Sequence, residues 1–208
     1  DLGIAGVGKL RGMFALALYD KIRHKVYLIR DRLGEKPLYW TTTPTGIVFA
    51  SEMKTLLLAR GVDKTLNPNS IDQFFHFYYI PEPRTAFSHI HKLPAGSYLE
   101  INPDSGKTKL VKYWDPTQIS PTSSSPPTRK IKEEFATACE IAMRSDVPVG
   151  ISLSGGIDSG SILAMCAPNY KDTMKAFGIG YAGTPPSDER QMARELATKF
   201  KVQFIEKE

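Results

Sequence analysis

The pattern of apolar positions changes a little past the middle of the chain. Up to residue 116, short apolar runs of strand length follow one another, and two short helical patterns interrupt them. From residue 129 onward, apolar runs alternate with amphipathic helical patterns. We therefore predict a layered α+β part with antiparallel strands, followed by an α/β part that begins a doubly wound parallel sheet.

In the first part, strands are predicted at the apolar or alternating runs 13–19, 26–29, 38–40, 47–50, 97–101 and 109–114. The run 13–19 is apolar throughout, which is typical of a strand buried on both faces. Helices are predicted over 51–58, capped by Ser51, and from Ile71 to Tyr78, capped by Asn69 and Ser70. Aromatic residues recur at helical spacing in the second helix, which predicts a core-facing stripe of Phe74, Phe77 and Tyr78.

A dense run of charges at 30–37 has two interpretations. It is either a solvated turn with local ion pairs or a structural latch at a domain interface, and we slightly favour the latch. The segment 117–128 is rich in proline and serine, and it is predicted to link two domains, 1–116 and 129–208. His89 and His91 have no third ligand nearby in sequence, so we expect surface histidines.

In the second part, a helix over 130–144, a strand over 147–153 and a helix over 160–166 follow in order. A strand over 174–181, a helix over 188–200 capped by Ser187, and a strand over 202–205 complete the pattern. Alternation of strand and helix is the basis for the predicted parallel sheet.

The junction between the strand and helix of this part carries the clearest candidate chemistry, Ser154-Gly155-Gly156-Ile157-Asp158-Ser159. A small-residue loop between a strand and a helix presents backbone N–H groups and a helix N-terminus to an anion. The glycines have no Cβ, so a phosphate can approach the main chain. Asp158 would repel a bare phosphate, which suggests a divalent cation between them. The alternative is a simple helix cap by Asp158 or Ser159.

Two other glycine-rich stretches resemble phosphate-binding motifs, but the residues that follow them do not fit those motifs. The run 3–10 matches a Walker A loop up to Lys9, but Leu10 stands where the motif needs Ser or Thr. The run 178–183 fits the dinucleotide fingerprint, but prolines follow it where a helix should begin. The end of the strand near Ile179 is nevertheless placed to pack on a nucleotide whose phosphates lie at 154–159.

Composition narrows the class of protein. The 208 residues are 41% hydrophobic and 24% charged, with a net charge of +5 and dispersed basic residues, so nucleic-acid binding is not expected. No apolar run has the length of a membrane span, and no secretory signal is recognised. Cys139 and Cys166 are expected as buried thiols of a cytoplasmic protein, and a zinc site is not expected.

The loop 154–159 resembles the pyrophosphate loop of ATP pyrophosphatases. Further stretches resemble glutamine-hydrolysing asparagine synthetases, in the same order: Arg11-Gly12-Met13-Phe14-Ala15, 30–39, Ala50-Ser51-Glu52-Met53-Lys54, Lys92-Leu93-Pro94-Ala95-Gly96 and 145–150. The resemblance covers nearly the whole chain. It implies that 1–116 is the latter half of an N-terminal-nucleophile glutaminase domain and that 129–208 begins an ATP-pyrophosphatase synthetase domain, both incomplete.

The resemblance also implies an activity. The family takes ammonia from glutamine and adenylates aspartate with Mg-ATP; ammonia then displaces AMP to give asparagine. It implies small-molecule substrates, no nucleic acid and no membrane, and it leaves a homodimer open. Relatives of this architecture act on other acceptors, and the acceptor pocket is expected beyond this chain, so the acceptor stays undecided.

Site residues are carried over by the resemblance alone. Leu153 and Ile179 would line the adenine and ribose side, and the pyrophosphate with its magnesium would be held by Ser154, Gly155, Gly156, Asp158 and Ser159. Asp158 would meet Mg²⁺ through the pyrophosphate. No cysteine stands at the N-terminus, so we assign no catalytic residue and expect an internal fragment of a longer enzyme.

Overall fold

The computed structural model describes residues 2–120, 128–170, 173–183 and 188–208. The chain divides into two compact units, Asp1–Pro121 and Thr122–Glu208. Most of the predicted linker, 121–127, lies outside the described residues, as does the predicted cap Ser187. The assignment of the two domains as glutaminase and synthetase parts stays a prediction.

The first unit is built from antiparallel strands and short helices. Its strands are β1 Ala15–Asp20, β2 Lys25–Arg30, β3 Tyr39–Thr43, β4 Gly46–Ala50, β5 His91–Lys92, β6 Ser97–Ile101 and β7 Thr108–Lys112. Its helices are α1 Met53–Leu58 and α2 Pro68–Phe77, with short 3₁₀ helices at Gly3–Lys9 and Pro116–Gln118. The strands form an antiparallel sheet in the order β1-β2-β6-β7 and a second one in the order β4-β3-β5.

The core of the first unit includes side chains from both sheets. Leu28 on β2 and Leu99 on β6 are buried in one cluster with Leu38 and Leu93, which flank the second sheet. Alternating side chains of β2 therefore supply two cores, since Tyr27 and Ile29 are buried in a separate cluster. The predicted α+β class with antiparallel layers agrees with this arrangement.

The prediction that the run 13–19 is buried on both faces is wrong. β1 lies at the edge of its sheet and pairs with β2 alone among the described strands. Leu16, Leu18 and Tyr19 are all exposed. The apolar run correctly predicts a strand, but it does not indicate whether that strand lies in the middle or at the edge of the sheet.

The prediction of a buried aromatic stripe on α2 is also wrong, because Phe74, Phe77 and Tyr78 are exposed.

The residues that cap the helices differ from the predicted ones as well. The side chain of Asn67 accepts a hydrogen bond from the Ser70 N–H and caps α2, while α1 begins after Glu52 with no side-chain cap. Among the two histidines, His89 is exposed as predicted, whereas the half-buried His91 ring packs on Trp40 at 5.0 Å between centroids.

The charged loop 30–37 is a latch inside the first unit. Arg30 is buried and donates hydrogen bonds to Glu82 Oε1 at 2.6 Å and to the Leu93 carbonyl at 2.7 Å. The buried Asp31 carboxylate accepts backbone N–H groups from Leu33, Glu35, Lys36 and Phe14. Burial alone would raise the pKa of Asp31, but these N–H donors outweigh burial and hold that pKa below its usual range.

The second unit contains the parallel strands. Its elements are α3 Thr128–Ala142, β8 Gly150–Ser152, α4 Ile157–Cys166, β9 Lys175–Ile179, α5 Arg190–Lys199 and β10 Gln203–Lys207, with a 3₁₀ helix at Ala167–Asn169. The strands pair in parallel in the order β10-β9-β8. The predicted strand 147–153 is shorter than expected, because Val147 is exposed and pairing begins at Gly150.

One core holds this unit together. Leu163 of α4 and Ala193 of α5 are buried with Ala176 of β9, and Cys139 of α3 joins them. Because successive strands lie side by side, right-handed crossovers place α4 and α5 on the same face of the sheet. The parallel sheet agrees with the prediction, whereas a doubly wound arrangement with helices on both faces stays a prediction. The two cysteines are buried, as predicted.

Within the described ranges, no helix is both long and apolar enough to cross a membrane.

Candidate functional site

The loop 154–159 starts where strand pairing ends. The Leu153 N–H still donates to the Phe177 carbonyl at 2.8 Å, and the Leu153 side chain is buried. The chain leaves the sheet at Ser154, and α4 begins at Ile157 with Gly156 as its N-cap residue. The loop therefore joins the carboxyl end of a parallel strand to the amino end of a helix, where parallel sheets bind ligands.

Two serine hydroxyls hold this loop closed. The Ser159 hydroxyl accepts the Ser154 N–H at 3.2 Å, and the Ser154 hydroxyl accepts the Gly156 N–H at 3.2 Å. No side-chain hydrogen bond caps α4 at Gly156. The alternative that Asp158 or Ser159 merely caps the helix is therefore wrong, because both residues lie within the first turn.

The amino end of α4 presents backbone N–H groups in front of the helix. The Gly160 N–H donates to the Gly156 carbonyl at 3.1 Å, which is the first backbone hydrogen bond of the helix. The N–H groups of residues 157–159 precede this bond, as the first N–H groups of any α-helix do. Such N–H groups, together with the helix dipole, favour a negative charge in front of the helix.

Gly155 is required by its close packing. A Cβ at this position would lie 2.8 Å from the Cβ and the Cε of Met192, and 3.1 Å from the Cβ of Glu189. The loop is therefore packed closely against α5. The sequence suggested that this glycine serves phosphate approach, and the structure adds a steric reason for it.

A cavity of about 280 Å³ lies at the carboxyl ends of the parallel strands. It is lined by residues from the ends of β8 and β9 and from the start of α5: Ser152, Leu153, Ser154, Gly178, Ile179, Tyr181, Asp188, Glu189, Arg190 and Ala193. The predicted site residues Leu153, Ser154 and Ile179 thus share one cavity. Gly155, Gly156, Asp158 and Ser159 belong to the adjoining loop, and their binding roles stay predictions.

Sequence reasoning missed the contribution of α5. Asp188, Glu189 and Arg190 close one side of the cavity, and Tyr181 lies on its rim. The signal in the sequence is a cluster of charges at the start of a predicted helix, which we interpreted only as a helix beginning. Asp188 and Arg190 bond each other locally, but the bonds of Arg190 to Glu208 and to the Tyr181 carbonyl join residues 18 and 9 positions apart, which no local spacing indicates.

A larger cavity of about 780 Å³ lies beside residues 136–149, toward the amino end of β8. Ligands of open parallel sheets bind at the opposite, carboxyl end of the strands. We therefore assign the candidate site to the smaller cavity beside the loop.

Comparison with protein-family models gives two matches. Residues 1–114 match the model described as glutamine amidotransferase domain, and residues 130–208 match the one described as asparagine synthase. The first match covers more than half of the 208 residues. The chain belongs to the glutamine amidotransferase domain family. The resemblance predicted from the sequence motifs is confirmed.

Comparison with curated relatives agrees with these two matches. Asparagine synthetase [glutamine-hydrolyzing] 1 of Bacillus subtilis (strain 168) is 36% identical over 96% of the chain and 31% of its own length. Putative asparagine synthetase [glutamine-hydrolyzing] 2 of Methanocaldococcus jannaschii is 31% identical over 97% of the chain and 40% of its own length. Amidase chyE of Penicillium rubens is 30% identical over 94% of the chain and 31% of its own length. The chain thus spans between three and four tenths of the length of these relatives.

Proposed function

We propose that the chain is part of a glutamine-dependent asparagine synthetase. In this proposal, 1–116 belongs to the glutaminase domain and 129–208 to the synthetase domain. The protein amidates aspartate with ammonia from glutamine, through a β-aspartyl-AMP intermediate, and releases AMP and pyrophosphate. The observation that carries the proposal is the loop 154–159, which opens α4 beside the cavity at the strand ends.

The nucleotide is assigned to the cavity and the loop together. Leu153 and Ile179 contact the adenosine part, and both line the cavity. The pyrophosphate lies in front of α4, where backbone N–H groups precede the helical ladder. Ser154 and Ser159 add hydroxyl donors, with Gly155 and Gly156 between them. This arrangement supports ATP as the ligand because it offers an apolar surface next to an anion site.

Mg²⁺ fits this site only when it binds together with the nucleotide phosphates. Asp158 is an exposed carboxylate in the first turn of α4. Within the described part of the chain, no group of three or more His, Cys, Asp or Glu residues is arranged to hold a metal. Mg²⁺ in nucleotide sites is held by one or two carboxylates together with substrate phosphates. A single carboxylate beside a pyrophosphate is compatible with that mode, and the ion would neutralise phosphate charge there.

A product assay with the protein that carries this chain tests the proposal. Aspartate, glutamine and Mg-ATP should yield AMP and pyrophosphate in equal amounts, and Asp158→Asn should reduce the yield at least tenfold. Asp146→Asn, at the opposite end of β8, is the matched control. Formation of ADP and phosphate instead would refute the proposal.

A second candidate is ATP-dependent amidation of another carboxylate. The relative named amidase chyE favours it, because that name differs while the identity is nearly as high. A screen of carboxylates for pyrophosphate release distinguishes the two: stimulation by another acid and not by aspartate would select this candidate.

A further inference from the structure

Arg190 has a buried charge beside the cavity. Its side chain is 7% exposed, and its Nε donates to both carboxylate oxygens of Asp188, at 3.0 and 2.8 Å. Nη1 donates to Glu208 Oε1 at 3.1 Å, and Nη2 to the Tyr181 carbonyl at 3.1 Å. One guanidinium thus joins the start of α5, the end of β10 and the segment that follows β9.

Gly180 is fitted to this arginine. A Cβ on Gly180 would lie 1.9 Å from Arg190 Nε and 2.2 Å from its Cζ, so any larger residue would displace the guanidinium. The Gly180 N–H donates to the Lys207 carbonyl at 2.9 Å. The main chain at 180 is therefore held by one bond toward β10 and by Arg190 through its neighbour Tyr181.

The cavity wall depends on these bonds. Ile179 and Tyr181 line the cavity on either side of Gly180, and their side chains are 81% and 68% exposed. Side chains so exposed gain little from packing, so their positions follow the main chain that carries them. Asp188 and Glu208 engage the guanidinium, so its charge is paired and is not directed at a phosphate.

We propose that Arg190 is a positioning residue of the nucleotide site, which fixes segment 179–181 so that Ile179 and Tyr181 form the wall beside the base. This inference rests on the proposed ATP site. Arg190 itself does not touch the nucleotide. A lysine would not replace it, because one ammonium lacks the planar fork that reaches Asp188, Glu208 and Tyr181 together.

The test uses the protein that carries this chain and measures ATP binding by calorimetry and amide exchange at position 180. Arg190→Lys and Gly180→Ala should each weaken ATP binding about tenfold and speed amide exchange at position 180 about tenfold, as expected for the loss of one charge-assisted contact. Arg190→Ala removes the guanidinium atoms that would clash with a methyl group on residue 180. The double variant with Gly180→Ala should therefore bind no more weakly than Arg190→Ala alone. Arg194→Lys is the matched control, since Arg194 lies one turn further along α5 and pairs with Glu206 at the surface.

The outcomes separate this inference from the proposed function. If the unchanged protein that carries this chain binds no ATP, the ATP site itself is refuted, and the inference falls with it. If the chain binds ATP and both variants bind it equally well, Arg190 has no positioning role. Lower thermal stability with unchanged affinity and unchanged amide exchange at position 180 would show a purely structural residue and overturn the inference as well.

Discussion

The hydroxyl oxygens of Ser154 and Ser159 lie 3.0 Å apart and close the loop on itself. The Ser159 hydroxyl also accepts the Ser154 N–H, so an oxygen of the loop itself occupies this backbone donor. A hydroxyl rotates at little cost and can donate to an anion instead. In the proposed ATP site, we expect the Ser159 hydroxyl to exchange this bond within the loop for one to a phosphate oxygen.

Replacing Ser159 with alanine tests this relationship. The change removes a hydroxyl donor to the phosphate and the hydrogen bonds that order the loop, so ATP affinity should fall about tenfold, or about 1.4 kcal/mol. Calorimetry of ATP binding measures it. Ser161→Ala, on the same helix but outside the loop, is the control; an equal loss in both variants would contradict a specific role for Ser159.

Asp158 should govern the dependence of binding on magnesium. Asp158→Asn removes a carboxylate charge that would repel ATP and attract Mg²⁺. Binding of ATP without magnesium should be unchanged or tighter in the variant, while the gain on adding Mg²⁺ should shrink about tenfold or more. Titrations with and without EDTA measure both quantities. A variant that keeps the full gain from magnesium would remove Asp158 from the proposed site.

Local chemistry made part of the fold predictable. The turn at Pro44-Thr45-Gly46 joins β3 to β4, and the loop 102–107 joins β6 to β7; both segments are rich in residues typical of turns. The loop 154–159 was found because its chemistry is continuous in sequence. In each case the residues that determine the structure are neighbours along the chain.

Long-range relationships were not predictable. Apolar residues at 13–19 and on α2 indicate the elements correctly, but which layer covers them depends on the whole fold. Arg190 pairs with Glu208, 18 residues away, and Arg30 pairs with Glu82, 52 residues away. Nothing in local spacing indicates such pairs, because they arise only when strands and helices assemble.

Glu82 should stabilise the first unit in a pH-dependent way. Burial would raise the pKa of its carboxyl, but hydrogen bonds from Arg30 and Lys92 outweigh burial and lower that pKa. A lowered pKa gives stability above the unfolded value of about 4.3, which is lost as the pH falls through the folded value. Glu82→Gln should therefore cost about 2 kcal/mol at pH 7, since it leaves the buried Arg30 charge unpaired.

Urea unfolding of both proteins between pH 7 and pH 3 checks this prediction. The difference between Glu82→Gln and the unchanged protein should shrink as the pH falls below the unfolded value of about 4.3. Glu52→Gln is the control, because Glu52 pairs with Lys54 at an exposed position and should change stability by about 0.5 kcal/mol or less. A constant difference across the whole pH range would contradict the assigned charge interaction.

The two cysteines should be unreactive in the folded chain. Burial, with the neighbouring Cys139, raises the pKa of the Cys166 thiol to about 11. At pH 8 only about one such thiol in a thousand is ionised, and the thiolate is the reactive form. Labelling with a disulfide reagent should therefore be slow in native conditions and fast for both thiols in guanidinium. Rapid labelling of the native chain would contradict this, and Cys166→Ser identifies the residue involved.

The isolated chain should be inactive in asparagine synthesis and prone to aggregate. Exposed aromatic side chains cluster on and after α2, with Phe75 73% and Tyr78 85% exposed, and apolar residues of the edge strand β1 are exposed too. Contiguous exposed apolar surface and an open strand edge both promote self-association. Light scattering should therefore rise with chain concentration, and Phe75→Ser combined with Tyr78→Ser should reduce it severalfold. Ile22→Ser is the control, since Ile22 is 94% exposed in the turn between β1 and β2, outside the aromatic cluster. A monomeric chain at all concentrations would refute the prediction.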